Sequence, residues 1–556
     1  MANLLDGTER NSPGEPPRGP AASPPDDAGS LPLITGVWPG ALPGLPFAPP
    51  PDGRHPNHER SVNVWLDEQI WGHRLWDAQS PWLIFLEFLN VAEACEYRGN
   101  LLADDTALSY QPRRRMHLRN ILFYSDDVER VAEKHSDSRR AWEEWLKRAQ
   151  DTAIGISRPD FSYLKDRFYS YEGFAEVVRM LRATAVERQS NKRWSSRFIF
   201  PFGANALYID LNAKPNRLSR EYINFGRSGE LLYLMLARSS RRDELVPHIR
   251  QIVNGQEKWN RLVAALQPDD DDYQANDRLQ TESSCYLPYQ RHRVFDELAA
   301  DWLAAFGLEL PGFDVYPHLV TLGALHLLRY HLSAASTWTG GDGQPYLVCE
   351  IIAPKKTLVR EISLRTYGQN DALSARAVEQ FIERIRNSAE WTRAVSSGEF
   401  AQCQEVLRQA ICWDDGKNSS DPDAVLAGLK AEALRRHQRH AGQVHRTYGR
   451  EIGLVSRRGT NRFRYAPTDQ LIRTLLFATV DHRMEFGEFL HRLFVKYRMV
   501  IGAREAEQVL PADEFDSSAF QDNARRLEQR LVSLGLLRRL SDACAYVENP
   551  YRKADA

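Results

Sequence analysis

The chain has 556 residues, and its 72 lysines and arginines nearly balance 74 aspartates and glutamates, for a formal net charge of −2. Apolar residues make up 42% and aromatic residues 10%, so most of the chain is able to bury a hydrophobic core. This composition excludes a disordered acidic chain and a uniformly basic nucleic-acid coat. Since a domain usually holds roughly 100–200 residues, the length predicts about three domains.

The cysteines and the apolar segments indicate the cellular compartment. Six cysteines are spread along the chain without a CxxC pair, which argues against a disulfide framework and against a structural zinc ribbon. The N-terminus lacks the basic and then apolar order of a secretory signal. The most apolar long stretch, Leu319–Ala335, contains His326, Arg329 and His331, so it is predicted to be a buried helix and not a membrane span. We therefore expect a soluble cytoplasmic protein with no membrane partner.

The chain divides by composition into a tail and three folded regions. Residues 1–56 hold 14 of the 30 prolines, so residues 1–57 are predicted to be a disordered tail. Residues 58–270 are predicted to be a mainly helical domain and residues 280–430 a mixed α/β domain. Residues 431–556 are predicted to be a basic strip followed by a winged-helix-like domain. The predicted fold class is mainly α with small β elements (α+β).

Several elements can be predicted from hydrophobic periodicity and capping residues. Ser80-Pro81 indicates a helix start, because serine caps free N–H groups and proline is tolerated in the first helical turn. Trp71 and three neighbouring tryptophans are interpreted as core or contact residues. Val294–Phe306 and His318–Ala335 are predicted apolar helices, and Tyr346–Ile352 is a predicted strand.

The C-terminal region shows the element order of a winged helix. Thr468 predicts the start of a first helix, a second is predicted at about Glu485–Tyr497, and a third after Asp516. Two short apolar strands, Leu536–Leu540 and Ala543–Val547, follow. A winged helix binds DNA by placing its third helix in the major groove and by contacting phosphate with its hairpin. The arginines expected to make these contacts are Arg525, Arg526, Arg530, Arg538 and Arg539.

Positive charge is concentrated immediately before this region, in residues 435–464, which we call the basic strip. It contains nine arginines and one acid, Glu451, which gives a formal charge of +8. Because guanidinium groups bind phosphate through paired hydrogen bonds, the strip is predicted to contact nucleic-acid phosphates, with Tyr448 and Phe463 as stacking candidates. The alternatives are an acidic face on a partner protein and a helix and hairpin balanced by acids elsewhere or by solvent. The arginines are Arg435, Arg436, Arg439, Arg446, Arg450, Arg457, Arg458, Arg462 and Arg464.

Signatures of catalysis are absent from the sequence. No P-loop, dinucleotide-binding glycine pattern, zinc-protease motif or kinase motif occurs, and no metal site or cofactor is expected. A nuclease of the PD-(D/E)xK type places acids and a lysine around Mg²⁺, and Asp342, Glu350 and Lys355 imitate this set with the wrong spacing. The segment Gly226–Gly229 is a candidate phosphate-binding nest, although an ordinary loop before the helix Glu230–Arg238 is the preferred interpretation.

Three stretches of the chain resemble accessory proteins encoded beside ATPases or helicases in prokaryotic antiphage defence islands. They are Cys285-Tyr-Leu-Pro-Tyr with Phe295-Asp296 and Trp302, then Tyr316-Pro-His-Leu with Leu325-His326-Leu-Leu, and finally Tyr448-Gly-Arg continuing into the C-terminal region. These stretches contain no catalytic motif, so the resemblance implies no active-site residue. It implies a role in DNA surveillance together with other protein subunits.

These observations favour a non-catalytic DNA-binding or scaffolding subunit of a prokaryotic complex that acts on DNA in phage defence. The expected partners are the phosphate backbone of DNA and other subunits such as an ATPase, a helicase or a nuclease. One alternative is a degenerate Mg²⁺-dependent nuclease that uses Asp342, Glu350 and Lys355. Another alternative is an assembly module that binds protein alone.

Overall fold

The computed structural model describes most of the chain after residue 65. The described residues are 66–67, 70–72, 75, 77–103, 108, 110–124, 127–184, 203–214, 217–221, 225–255, 258–269, 287–411, 413, 421–457, 462–541 and 544–552. The protein is mainly helical with small sheets, which confirms the predicted fold class at that level. The predicted tail, residues 1–57, lies outside the described residues.

The helices are numbered here in chain order. They are α1 (Pro81–Tyr97), α2 (Met116–Arg119), α3 (Asp127–Lys134), α4 (Ser138–Thr152), α5 (Tyr163–Arg167), α6 (Tyr171–Ala183), α7 (Ser228–Ala237), α8 (Arg242–Val253), α9 (Lys258–Ala264), α10 (Arg293–Phe306), α11 (Gly312–Trp338), α12 (Leu358–Asp371), α13 (Leu373–Arg386), α14 (Ala389–Ser396), α15 (Phe400–Ile411), α16 (Pro422–His437), α17 (Ala441–Glu451), α18 (Asp469–Thr479), α19 (Phe486–Tyr497), α20 (Ala503–Val509) and α21 (Ser517–Ser533). A π-helical turn, Asn120–Tyr124, continues α2.

The strands form small sheets of two or three members. They are β1 (Leu211–Lys214), β2 (Arg217–Arg220), β3 (Leu347–Val348), β4 (Val455–Ser456), β5 (Arg464–Tyr465), β6 (Arg483–Glu485), β7 (Met499–Val500), β8 (Leu537–Ser541) and β9 (Cys544–Glu548). β1 and β2 pair antiparallel, as do β4 and β5, whereas β3 and β7 pair in parallel. The last sheet is antiparallel in the order β6–β9–β8. Sheets of this size are marginal alone, so the core depends on helix packing.

The helix α11 lies at the centre of the fold. Its 27 residues are buried over most of their length, because α1, α10, α13, α17 and α18 pack around it. A helix surrounded in this way can be apolar on every side, which explains the long apolar stretch in the sequence. The predicted helices Val294–Phe306 and His318–Ala335 are confirmed as α10 and the main part of α11. Among the described residues, no helix combines the length and the apolar character that crossing a bilayer requires.

An extended segment, residues 347–351, connects α11 to the C-terminal elements. Its backbone N–H groups donate hydrogen bonds of 2.8–2.9 Å to four acceptors: the carbonyl oxygens of Arg498, Val500 and Tyr465 and the Oδ1 atom of Asn523. The predicted strand Tyr346–Ile352 is therefore confirmed as extended chain. Its regular pairing is limited to β3, because the later N–H groups bind β5 and a side chain of α21 instead.

One hydrophobic core contains residues from all three predicted folded regions. It extends along the chain from Leu66 to Val547 and includes the buried ring of Trp71. A smaller cluster, which includes Phe520, lies between α12, α20 and α21. The predicted domain boundaries stay a prediction, since these regions share side-chain packing in the folded protein.

The C-terminal helices begin where the capping residues predicted them. Thr468 Oγ1 accepts a hydrogen bond from the N–H of Leu471 at 3.3 Å, at the start of α18. Asp516 Oδ1 accepts one from the N–H of Ala519 at 3.1 Å, at the start of α21. The structure also contains α20 and β6, which were not predicted. Their seven and three residues are too few to show a clear hydrophobic periodicity.

The ring of His331, on α11, is fully buried. It stacks on Trp71 with the ring centroids 4.8 Å apart, and neither ring nitrogen has a hydrogen-bond partner among the described residues. Burial holds the pKa of His331 well below its usual range, and the nearby His437 and His445 act in the same direction. The ring is therefore neutral at neutral pH, and protonation would leave an unsolvated charge in the core.

We predict that this ring contributes to acid denaturation. Because the pKa of His331 is lower in the folded chain than in the unfolded chain, the unfolded chain binds the proton first as the pH falls below about 6.5. The free energy of unfolding should therefore decrease below that pH, and His331→Leu should reduce the decrease. Urea unfolding of the natural protein and of His331→Leu at several pH values measures the two decreases. The control is His482→Leu at an exposed position; an unchanged acid dependence in His331→Leu would contradict the prediction.

Candidate nucleic-acid interface

The fold divides the basic strip into inward-facing and outward-facing groups. The strip is carried by the end of α16, by α17 and by the β4–β5 hairpin. Two of its histidines are buried beside acids from distant parts of the chain. His437 Nδ1 lies 2.9 Å from Asp67 Oδ1, and His445 Nδ1 lies 3.0 Å from Asp371 Oδ1. These histidines help to anchor the strip to the core and do not face a partner.

Arg464 also faces inward, which corrects the expectation that it contacts phosphate. Its side chain is 2% exposed, and its Nε donates to one carboxylate oxygen of Glu350. The other carboxylate oxygen of Glu350 accepts a hydrogen bond from Arg360 Nε at 2.8 Å. A guanidinium buried in an ion pair cannot reach a phosphate in solution. Arg464 is therefore not one of the surface arginines that contact phosphate.

The same ion pairs argue against the nuclease alternative. Both oxygens of Glu350 are bound by guanidinium groups, which compete with a metal ion for them. Asp342 accepts a hydrogen bond from the N–H of Gln344 at 2.8 Å and lines a cavity to which neither Glu350 nor Lys355 contributes. The structure describes no group of three or more histidine, cysteine or acidic side chains placed to hold a metal ion. The geometry thus gives the nuclease alternative no support.

We predict that Glu350 is a structural residue. Glu350→Ala leaves the Arg464 guanidinium buried without a counter-charge, so the free energy of unfolding should decrease by about 3–5 kcal/mol. The double variant Glu350→Met with Arg464→Met removes both charges and should recover most of that loss, as measured by urea unfolding. Unchanged stability of Glu350→Ala, together with loss of a Mg²⁺-dependent nuclease activity, would contradict this account.

Two arginines of the outward-facing group lie over the half-buried ring of Phe463. The guanidinium carbon of Arg446, on α17, lies 5.6 Å from the ring centroid, and that of Arg457, which follows β4, lies 5.2 Å from it. Arg450 is exposed one helical turn after Arg446, and Arg462 is exposed immediately before Phe463. We call these four arginines and the ring the Phe463 cluster. A helix and a hairpin thus present cations around one aromatic side chain.

The close contact between α17 and β4 depends on Gly449. A Cβ atom at this position would lie 2.5 Å from Val455 Cγ2, so a larger residue would push the hairpin away. The preceding residue, Tyr448, is fully buried, and its hydroxyl lies 2.9 Å from Ser228 Oγ. Burial raises the pKa of Tyr448 far above its usual range. Tyr448 is therefore a core residue, which corrects its prediction as a base-stacking candidate.

The remaining arginines of the strip lie near the junction of α16 and α17. Arg435 and Arg439 are exposed, and Arg436 forms an ion pair with Glu432 at 3.1 Å. Arg458 lies outside the described residues. Arg435 and Arg439 thus add exposed positive charge between the end of α16 and the start of α17.

Part of the positive charge on this surface has no acidic ion-pair partner among the described residues. Four exposed arginines form no ion pair with any residue that the structure describes: Arg435, Arg439, Arg450 and Arg462. Residues 269–272 are four consecutive aspartates, and the first of them, Asp269, forms an ion pair with Arg167 and not with the strip. Acids from distant parts of the chain therefore neutralise the inward-facing residues of the strip. The four exposed arginines are available to an anionic partner.

The five arginines expected to contact DNA from α21 and from strand β8 differ from those of the basic strip, because most of them have acidic partners. Arg526 is half-buried and Arg538 is exposed. The other three form ion pairs with nearby acids: Arg525 with Asp522 at 3.0 Å, Arg530 with Asp469 at 2.8 Å, and Arg539 with Glu528 at 3.1 Å. Because these pairs already satisfy the guanidinium charges, the third helix and the hairpin offer less free positive charge than the Phe463 cluster.

The candidate phosphate nest, Gly226–Gly229, is filled by a carboxylate of the protein. Glu87 accepts hydrogen bonds from the N–H groups of Arg227 at 3.1 Å and Gly229 at 2.9 Å. A Cβ atom at Gly229 would lie 2.5 Å from Glu87 Cβ, so glycine permits this approach. Burial and the carboxylate of Glu230 raise the pKa of Glu87 to about 7. The segment is thus the capped start of α7. This agrees with the preferred interpretation of an ordinary loop before a helix.

Comparison with known proteins identifies no relative. No family model matches the chain, and neither a curated protein nor a solved structure matches it. The resemblance to accessory proteins of antiphage defence therefore stays a prediction.

Proposed function

We propose that the protein binds the phosphate backbone of DNA through the Phe463 cluster, with Arg435 and Arg439 extending the contact. The observation that carries this proposal is the meeting of Arg446 and Arg457 on the ring of Phe463. Guanidinium groups stack on aromatic rings and also form paired hydrogen bonds to phosphate, so a cluster of this kind is suited to contact a nucleic acid.

The spacing of the cluster suits a polymer of phosphates. Arg446 and Arg450 lie at positions i and i+4 of α17, so their side chains start roughly 5–6 Å apart on one face. Arg462 adds a cation from the hairpin, and it forms no ion pair with the described residues. Contacts of this kind fix position on a duplex and carry no base specificity. The proposed binding is therefore independent of sequence.

We further propose that α18 to α21 with β6, β8 and β9 form a winged-helix unit. The order of its helices and strands supports this, as does the pairing of its first strand with its last in the sheet β6–β9–β8. Val532 on α21 is 49% exposed and Leu540 on β8 is 59% exposed. These apolar side chains, beside ion-paired arginines, favour contact between this unit and another protein subunit as a second function.

The cellular setting follows from the same proposal. Among the described residues, Cys349, Cys403 and Cys544 are free thiols, which supports a reducing compartment. We place the protein in the cytoplasm of a prokaryote, as a DNA-binding subunit of a defence complex that contains an ATPase, a helicase or a nuclease. The resemblance of three stretches to accessory subunits supports that assignment.

A triple variant tests the phosphate contact. Arg439→Ala, Arg450→Ala and Arg462→Ala together should reduce the slope of log Kd against log salt concentration by about 3, since each phosphate contact contributes about 0.9 to the slope for duplex DNA. Fluorescence anisotropy with a labelled duplex, repeated over a range of salt concentrations, measures the slope.

A matched variant controls for net charge. Arg130→Ala, Arg139→Ala and Arg179→Ala remove three exposed arginines from α3, α4 and α6, and should leave the slope unchanged. Equal losses in both triple variants would show a general charge effect. The proposal fails on that result, and it also fails if the natural protein shows no salt-dependent binding.

The C-terminal unit can be tested in the same assay. Arg525→Ala, Arg530→Ala and Arg539→Ala should change the slope by less than about 1, because each guanidinium exchanges one anionic partner for another when it binds phosphate. A decrease as large as that of the strip variant would instead make α21 and its hairpin the main DNA contact.

A further inference from the structure

A cavity of 420 Å³ lies where α10, α11, β3 and the end of α19 meet. Four arginines from three segments of the chain line it: Arg291, Arg293, Arg329 and Arg498. Asp296 and Asp342 line it as well. Asp296 Oδ1 is already engaged, because it accepts hydrogen bonds from Ser239 and Ser240. The lining is thus rich in guanidinium groups and lies outside the basic strip.

Two of these arginines are held in position by one carboxylate. Arg293 Nε donates to Glu297 Oε1 at 2.5 Å, and Arg329 Nη1 donates to Glu297 Oε2 at 2.5 Å. Arg293 Nη2 donates to the carbonyl of Val495, and Arg329 Nη2 donates to that of Lys496. Arg293 Nη1 donates to Gln344 Oε1 at 2.6 Å. This side of the cavity is therefore rigid before any ligand arrives.

The other two arginines, Arg291 and Arg498, form no ion pair with any residue that the structure describes. Arg498 ends α19 in the left-handed conformation, with φ of 59°, which is uncommon for residues other than glycine. Its Nε is buried without a hydrogen-bond partner, and its guanidinium lies 4.7 Å from the ring of Phe494. Residues held in such strained conformations cluster at ligand-binding sites.

A histidine and a serine beside these arginines resemble a base and a nucleophile, but their hydrogen bonds exclude that role. His292 Nδ1 accepts a hydrogen bond from the N–H of Val294 at 3.1 Å, so the proton of the neutral ring is on Nε2. That Nε2 lies 3.2 Å from Ser333 Oγ, which itself donates to the carbonyl of Gly343 at 2.6 Å. His292 therefore has no free lone pair to accept the serine proton, and the cavity is arranged for binding.

We propose that this cavity binds a small phosphate-bearing molecule of nucleotide size, with Arg291 and Arg498 as the residues that hold its phosphate. The volume falls in the range of roughly 300–1,000 Å³ that is usual for small-molecule sites. Guanidinium groups recognise phosphate through paired, charge-assisted hydrogen bonds. Val294, Leu332 and Leu347 supply an apolar wall for the organic part. The inference is independent of the proposed DNA contact.

Isothermal titration of the full chain with ADP, pyrophosphate and adenosine tests the proposal. ADP should bind with Kd below about 0.1 mM, pyrophosphate more weakly, and adenosine not at all at about 5 mM. Arg498→Met and Arg291→Met should each weaken ADP binding about tenfold or more, because each removes a charge-assisted contact. The control, Arg504→Met, changes an exposed arginine on α20 outside the cavity and should leave the affinity unchanged.

Other outcomes would overturn the proposal. They are no binding of ADP and pyrophosphate, binding of pyrophosphate but not ADP, or equal losses in Arg504→Met and Arg498→Met. Urea unfolding checks that each variant is folded. The salt dependence of DNA binding should be the same in Arg498→Met as in the natural protein, so failure at the cavity is distinguishable from failure of the DNA proposal.

Discussion

The carboxylate of Glu350 joins two distant parts of the structure inside the core. It accepts hydrogen bonds from Arg360, on α12, and from Arg464, on β5, and so ties the β4–β5 hairpin to the extended segment that follows α11. The neighbouring Phe463 is half-buried and Arg462 is exposed. The ion pair thus fixes the β4–β5 hairpin against the core and keeps Arg464 away from the surface.

Other buried charges of the core also have internal partners. Glu87 caps α7, and Asp301 accepts hydrogen bonds from His326 at 2.6 Å and Tyr497 at 2.9 Å. Two groups of arginines among the described residues are proposed to bind anions. The Phe463 cluster lies on an open surface suited to a polyanion, whereas the cavity beside Arg498 encloses a volume suited to a small anion. The two sites imply different ligands and separate tests.

Local signals in the sequence predicted much of the fold. The starts of α18 and α21, the long helix α11 and the extended segment after it were all predicted, because capping residues and hydrophobic periodicity act over a few residues. The site was harder to predict. Arg464 pairs with an acid 114 residues earlier, the buried hydroxyl of Tyr448 contacts Ser228 from another region, and the cavity arginines come from three separate segments. Such contacts are set by tertiary packing, so composition alone could identify the basic strip but not its outward face.

Arginine footprinting tests the central claim most directly. Phenylglyoxal modifies exposed guanidinium groups, and mass spectrometry of the full chain with and without duplex DNA reports the reactivity of each one. DNA should protect Arg439, Arg450 and Arg462, while the buried Arg464 should react in neither state. Protection confined to the arginines of α21 and the β8–β9 hairpin, or no protection at all, would contradict the account.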